Sequence, residues 1–159
     1  MSGRSRAAGF DPGRLRAGEW IAGVAGLTLL VDLVTAPWYR SRLPEAGRPG
    51  VTGWRALTAL RWPLLVTGTG GAVLAAAQGR CRAPAIPVAT SGILTPVALV
   101  TATATLVRVL HPPRGSSRAA GAYVGLAAAV AVLAAATRSL RQEGILERDG
   151  PPEIPTLTV

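Results

Sequence analysis

Apolar residues along the chain fall into four long runs, which are separated by short polar connections rich in proline and glycine. The runs cover about residues 18–37, 57–78, 84–110 and 119–138. Each is close to or above the roughly 20 mostly apolar residues that an α-helix needs to cross a bilayer. The pattern therefore predicts an all-α fold, a four-transmembrane-helix bundle with short loops and disordered termini.

The first run contains one carboxylate in an otherwise apolar stretch, GEWIAGVAGLTLLVDLVTAPWY. Trp20 lies near its start and Trp38-Tyr39 at its end, as expected of aromatic residues at the two membrane interfaces. The carboxylate, Asp32, lies between them. A charge within the bilayer is costly, so it is expected to pair with another group or to face the interior of the bundle.

The segments on either side of the bundle are polar. Residues 1–17 are rich in arginine and glycine and are predicted to form a disordered, basic N-terminal tail. Residues 139–159 are charged and then rich in proline, which predicts a C-terminal tail with a short helical extension and a disordered end. The distribution of arginine residues places this tail in the cytoplasm. Residues 18–138 then form the four-helix transmembrane domain.

The basic residues of this chain favour a membrane over nucleic acid as partner. All 17 are arginine, and the net charge is +9, but they flank the apolar runs and form no continuous basic face. Arginine in that position anchors helix ends at lipid headgroups. With one cysteine (Cys81), one histidine (His111) and no nucleophile–base pair, the chain is predicted to be no enzyme and to carry no metal or cofactor.

An even number of spans places both ends of the chain on one side of the membrane. With the ends inside, the inner segments hold nine arginines and the outer segments eight, and four of the nine precede the first span. Because the segment before the first span often sets orientation, we expect a multi-pass plasma-membrane protein with cytoplasmic N- and C-termini.

Three charged residues within the apolar runs are expected at the same end of the bundle. Asp32, Arg61 and Arg108 lie about 6–10 Å below the interface if the helical rise is 1.5 Å per residue. The sequence thus predicts an intramembrane polar cluster in which Asp32 neutralises Arg61, Arg108 or both. Such a cluster is either a structural ion pair that fixes helix register, which is the favoured interpretation, or a pocket for an ion, a proton or a small solute.

Small residues predict where the helices approach closely. Gly121 and Gly125 form a GxxxG motif in the fourth run, which is typical of tight helix packing in membranes. The first run offers Gly23 and Gly26 for close packing. The second carries a cluster of three glycines, Gly68, Gly70 and Gly71, which indicates either a close-contact surface or a slight kink.

Five short segments spread over most of residues 18–144 carry a resemblance to a known family. They are GEWIAGVAGLTLLVDL…PWY, GWRAL, R-APAIPVATSGILT, LVRVLHPPRG and GAYVGLAAAVAV…RSLRQEG. They resemble an uncharacterised family of small four-span integral membrane proteins of high-GC Gram-positive (actinobacterial) bacteria. In that family the position of Arg61 is usually acidic and that of Arg108 basic, so the resemblance implies an ion pair that this chain has rearranged around Asp32. It implies no enzyme activity.

These observations favour a non-enzymatic integral membrane protein that acts as a structural or interaction component of the plasma membrane. The alternative is a small transporter or channel subunit that uses the Asp32, Arg61 and Arg108 cluster. The lipid bilayer is the expected partner, and a homo-oligomer and a complex with another membrane protein are both compatible with the pattern.

Overall fold

A computed structural model describes residues 17–41, 50–80 and 85–142 of the chain. The four apolar runs form four long helices, and a single helical turn, α2 (Gly53–Ala56), precedes the second of them. The long helices are α1 (Ala17–Thr35), α3 (Arg61–Arg80), α4 (Ala85–Leu110) and α5 (Ala120–Gln142). The predicted helical fold is therefore confirmed. Most of the two predicted tails, residues 1–16 and 143–159, lies outside the described residues. Residues 139–142 continue α5, as the predicted short helical extension of the C-terminal tail.

Three of the long helices are long and apolar enough to cross a membrane. They are α1, the Ser91–Leu110 part of α4 and the Ala120–Arg141 part of α5. The remaining helix, α3, is 20 residues long but less apolar, because it begins and ends with arginine and contains a glycine- and threonine-rich centre.

The all-α prediction is wrong at one end of the bundle, where a three-stranded antiparallel sheet joins two connections. The central strand β1 (Pro37–Ser41) pairs with β2 (Val51–Thr52) and with β3 (Ser116–Arg118). All three strands lie in or next to segments predicted to be loops. The two connections leave the same end of the bundle, and their backbone groups bond to each other because buried N–H and C=O groups need partners. We call this end the sheet end.

The helices pack as a four-membered ring. Helix α1 packs against α3 and α5, and α4 packs against the same two helices from the opposite corner. Both α1 and α4 end at the sheet, whereas α3 and α5 begin there. Neighbouring helices around the ring are therefore antiparallel, as short connections require.

Glycine allows α1 and α3 to approach until their backbones touch. A Cβ atom on Gly26 would lie 2.5 Å from the carbonyl oxygen of Gly68, and one on Gly71 would lie 2.6 Å from the carbonyl oxygen of Ala22. Real Cβ atoms do not come this close to backbone atoms. The close packing predicted for the glycines of the first and second runs is thus confirmed.

Many large apolar side chains lie on the outside of the bundle, whereas its interior combines alanine with leucine, valine and two aromatic residues. Ten of the buried apolar residues in the described part of the chain are alanine. In contrast, many valine, leucine and isoleucine side chains on the helices are about half exposed or more, such as Val24, Leu27, Ile93 and Val100. The number of exposed large apolar side chains is unlike that of a water-soluble domain, in which such side chains are most often buried.

Candidate functional site

Asp32 lies in the last turn of α1 and is bonded to a tryptophan. Its side chain is only 6% exposed. The indole Nε1 of Trp38 donates a buried hydrogen bond to Asp32 Oδ2 at 2.9 Å. Hydrogen bonds to charged groups are stronger than neutral ones, so this contact provides a specific link between the end of α1 and the strand that follows it.

Three glycines from distant parts of the chain surround the Trp38 ring, which is completely buried. A Cβ atom on Gly53 would lie 2.8 Å from the indole Cε2 and Nε1 atoms, and one on Gly121 would lie 2.9 Å from Cδ1. A Cβ atom on Gly125 would overlap the six-membered part of the ring and would lie 2.9 Å from Asp32 Oδ2. We call the space between Gly53, Gly121 and Gly125 the indole slot.

The indole slot changes the interpretation of the GxxxG motif. Gly121 and Gly125 were expected to bring a second helix close, but they receive the side chain of Trp38 and the backbone of β1. Trp38 itself was expected at the lipid interface. It is buried because the chain reverses at Ala36 and Pro37, so that its ring turns back between α1 and α5. Trp20, at the other end of α1, is 46% exposed, in keeping with the predicted interfacial position.

Arg61 is held by two aromatic rings. Its guanidinium carbon lies 5.4 Å from the ring centroid of Trp54 and 5.4 Å from that of Trp62, within the range of cation–π interactions. The two rings meet edge to face, with centroids 5.9 Å apart. The Nε atom of Arg61 is buried and has no hydrogen-bond partner among the described residues.

The side chain of Arg108 is exposed, and the residue takes part in the site through its backbone carbonyl oxygen. The hydroxyl of Tyr39 donates to the Arg108 carbonyl oxygen at 3.1 Å. Burial raises the pKa of the Tyr39 phenol above its usual range, although the nearby Arg108 and Arg118 guanidinium groups oppose this effect. The phenol therefore keeps its proton at neutral pH and can donate it to the end of α4.

The structure thus places Asp32, Arg61 and Arg108 at the sheet end but forms no ion pair between Asp32 and either arginine. The expected pairing is replaced because each group has another partner: Trp38 for the carboxylate and two indole rings for Arg61. Residues of β1 join two of the three positions, since Trp38 bonds to Asp32 and Tyr39 to the Arg108 carbonyl.

A second set of polar groups lies between α3 and α4. The hydroxyl of Thr67 donates to Thr101 Oγ1 at 2.9 Å, and Thr101 donates in turn to the Val97 carbonyl oxygen of its own helix at 2.8 Å. Thr105, one turn closer to the sheet end, is completely buried, and its hydroxyl has no partner among the described residues. These threonines link α3 to α4 within the apolar part of the bundle.

A groove of about 490 Å³ runs along the outer surface between α1 and α5 and reaches Asp32. Most of the groove wall is apolar, and only Asp32 and two threonines supply polar atoms. The lining residues are Val24, Leu27, Thr28, Val31, Asp32, Thr35, Ala36 and Val124. The sequence alone does not indicate this groove, because its two walls are about 90 residues apart in the chain.

Within the described ranges, no three histidine, cysteine, aspartate or glutamate side chains lie close enough together to hold a metal ion. No protein-family model matches the chain, and no similar protein was found among curated proteins or solved structures. The geometry of this chain is therefore the only basis for assigning a function.

Proposed function

We propose that this protein is a four-span, non-enzymatic integral membrane protein of the plasma membrane, with both ends in the cytoplasm and a structural or interaction role. The observation that carries the proposal is the large number of exposed valine, leucine and isoleucine side chains on the helices, together with an interior in which alanine and glycine permit close helix contacts. Such a surface suits lipid, and the small interior residues suit membrane helices, which associate through close packing.

The direction of the helices supports a crossing by α3 as well. Both α1 and α4 end at the sheet end, so if both cross the membrane in the same direction, the chain between them has to cross back. Only α3 is available for that crossing among the described helices. Its lower hydropathy is offset by internal contacts: Arg61 lies against tryptophan rings, Thr67 bonds to Thr101, and its glycines pack on α1.

A structural role is favoured because the polar groups inside the bundle serve to join its elements. Asp32 joins α1 to β1, Tyr39 joins β1 to α4, and Thr67 joins α3 to α4. The alternative, a transporter or channel subunit built on Asp32, Arg61 and Arg108, would need those groups to share one polar space. Asp32 and Arg61 have separate partners instead, and the Arg108 side chain is exposed, so this alternative has less support. Membership of the actinobacterial family stays a prediction.

Cysteine labelling tests the proposed topology. Cys81, the natural cysteine, lies between α3 and α4, and Arg114, an exposed residue, lies between α4 and α5. In intact cells, a membrane-impermeant maleimide should label an Arg114→Cys variant in a Cys81→Ser background. It should label Cys81 of the unmodified protein only after the membrane is permeabilised.

Labelling of both positions in intact cells, or of neither, would contradict a crossing by the helix between them. Labelling of Cys81 alone in intact cells would reverse the orientation and contradict cytoplasmic ends. A Cys81→Ser protein without the new cysteine provides the background signal in each measurement.

A further inference from the structure

The groove between α1 and α5 combines an apolar wall with a carboxylate that has no cationic partner among the described residues. It extends from Val24 to Ala36, about 18 Å along the helix at 1.5 Å per residue. No residue that lines it is positively charged among those that the structure describes. The only charged group in the groove is therefore negative.

The carboxylate of Asp32 retains capacity for a second partner. An ionised carboxylate can accept about four hydrogen bonds. In the described part of the chain its side chain makes one, from the neutral Trp38 indole. A neutral donor orients the group but does not compensate its charge, and uncompensated charge is costly in apolar surroundings.

The other polar groups that line the groove are two threonine hydroxyls, which can act as acceptors. The Thr35 hydroxyl donates its proton to the Val31 carbonyl oxygen of its own helix at 2.7 Å, which leaves its oxygen as an acceptor. The Thr28 hydroxyl can rotate to accept as well. The groove thus offers acceptors and negative charge to whatever enters it from the lipid.

We propose that this groove binds a lipid-soluble organic cation, with its apolar body along α1 and its positive charge at Asp32. Charge complementarity selects a cation over an anion, and the apolar wall selects a hydrophobic one over a hydrated metal ion. Asp32 lies below the sheet, in the apolar part of α1, so a cation that dissolves in the bilayer reaches it more readily than a lipid headgroup does. The inference rests on the proposed membrane location but not on any transport activity.

A second groove on the other side of α1 provides an internal comparison. It has a volume of about 200 Å³ and is lined by residues of α1, including Trp20, and by alanines of α3, including Ala76. It contains no charged residue among those that the structure describes. The second groove therefore offers an apolar wall without a carboxylate, and a cation should select the groove with Asp32.

Equilibrium dialysis of the full chain in an uncharged maltoside detergent at pH 8 tests the proposal with two probes of equal shape and opposite charge. Tetraphenylphosphonium should bind saturably, and tetraphenylborate should bind only as much as it does to empty micelles. Asp32→Asn keeps an acceptor for Trp38 but removes the charge, and it should weaken tetraphenylphosphonium binding about 30-fold or more.

Two further variants keep the test decisive if Asp32→Asn fails to fold. Val124→Trp fills the groove from α5 and should also abolish binding of the cation, whereas Ala76→Trp fills the second groove and should leave cation binding unchanged.

The proposal is overturned if folded Asp32→Asn or Val124→Trp binds the cation as the parent does, or if the two probes bind equally. Displacement of the probe by phosphatidylethanolamine but not by phosphatidylglycerol would assign the groove to a lipid headgroup and would also overturn it. If the maleimide labels position 81 and position 114 from opposite sides of the membrane but the cation does not bind, the proposed topology stands and only the cation site is refuted.

Discussion

Replacement of Trp38 with alanine is expected to lower the free energy of unfolding by about 3–5 kcal/mol, the usual cost of removing a buried tryptophan. The ring is completely buried, fills the indole slot and donates the hydrogen bond to Asp32. Its loss leaves a cavity between α1 and α5 and leaves the carboxylate without its donor. The measurement is an unfolding titration with a denaturing detergent in mixed micelles.

Trp20→Ala is the matched control, because Trp20 lies in α1, which leads into the strand that carries Trp38, but is about half exposed. Its substitution should change the unfolding free energy by about 1 kcal/mol or less, since surface substitutions have small effects. Equal effects of the two substitutions would mean that the buried position of Trp38 is wrong.

Gly26→Ala should destabilise the bundle although alanine is the better helix former. The added Cβ would meet the Gly68 carbonyl oxygen at 2.5 Å and the backbone nitrogen of Ala72 at 3.0 Å. Because these are backbone atoms, α1 and α3 have to move apart, and overpacking of this kind typically costs about 1–3 kcal/mol. The same detergent titration measures the change.

Gly92→Ala gives the matched comparison, since it is also a glycine within a long apolar helix. A Cβ atom on Gly92 would meet nothing within 4 Å. Its substitution should therefore raise stability by up to about 1 kcal/mol, the difference in helix propensity. If both substitutions stabilise the protein, α1 and α3 do not touch through their backbones.

The helices could be predicted from the sequence because hydropathy and length reflect local composition. The glycines of the first two runs were also correctly assigned to helix contacts, since few other roles suit glycine within a membrane helix. The least apolar helix, α3, was recognised because its glycine and threonine residues lie in an otherwise apolar run.

The sheet and the indole slot could not be predicted from local patterns. The strands are short and polar, and they pair only because two connections meet at one end of the bundle. The slot combines glycines that are up to 72 positions apart, Gly53 and Gly125, around a tryptophan whose position in the chain is typical of an interfacial residue. One feature of the sequence did point to the contact. Trp38, whose indole N–H can donate a hydrogen bond, follows the carboxylate of Asp32 by six positions, just beyond the end of α1.

The site prediction was correct about where the charges lie and wrong about how they pair. The rise per residue sufficed to place Asp32, Arg61 and Arg108 at the same end of the bundle. It could not show that Asp32 and Arg61 each contact aromatic side chains instead. Trp54 and Trp62 both lie within seven positions of Arg61, so its cation–π contacts were within reach of a sequence argument that considered aromatic partners for arginine.

A double-mutant cycle between Asp32 and Trp38 tests most directly whether this pair joins α1 to the sheet. Asp32→Leu removes the acceptor, Trp38→Phe removes the donor but keeps an aromatic ring, and the unfolding free energies of the parent, both single variants and the double variant give the coupling. The structure predicts a coupling of about 1–2 kcal/mol for Asp32 and Trp38. It predicts less than about 0.5 kcal/mol for a parallel cycle of Asp32→Leu with Arg61→Leu, because these residues make no direct contact. The opposite result, strong coupling to Arg61 and none to Trp38, would contradict the assignment of Trp38 as the partner of Asp32.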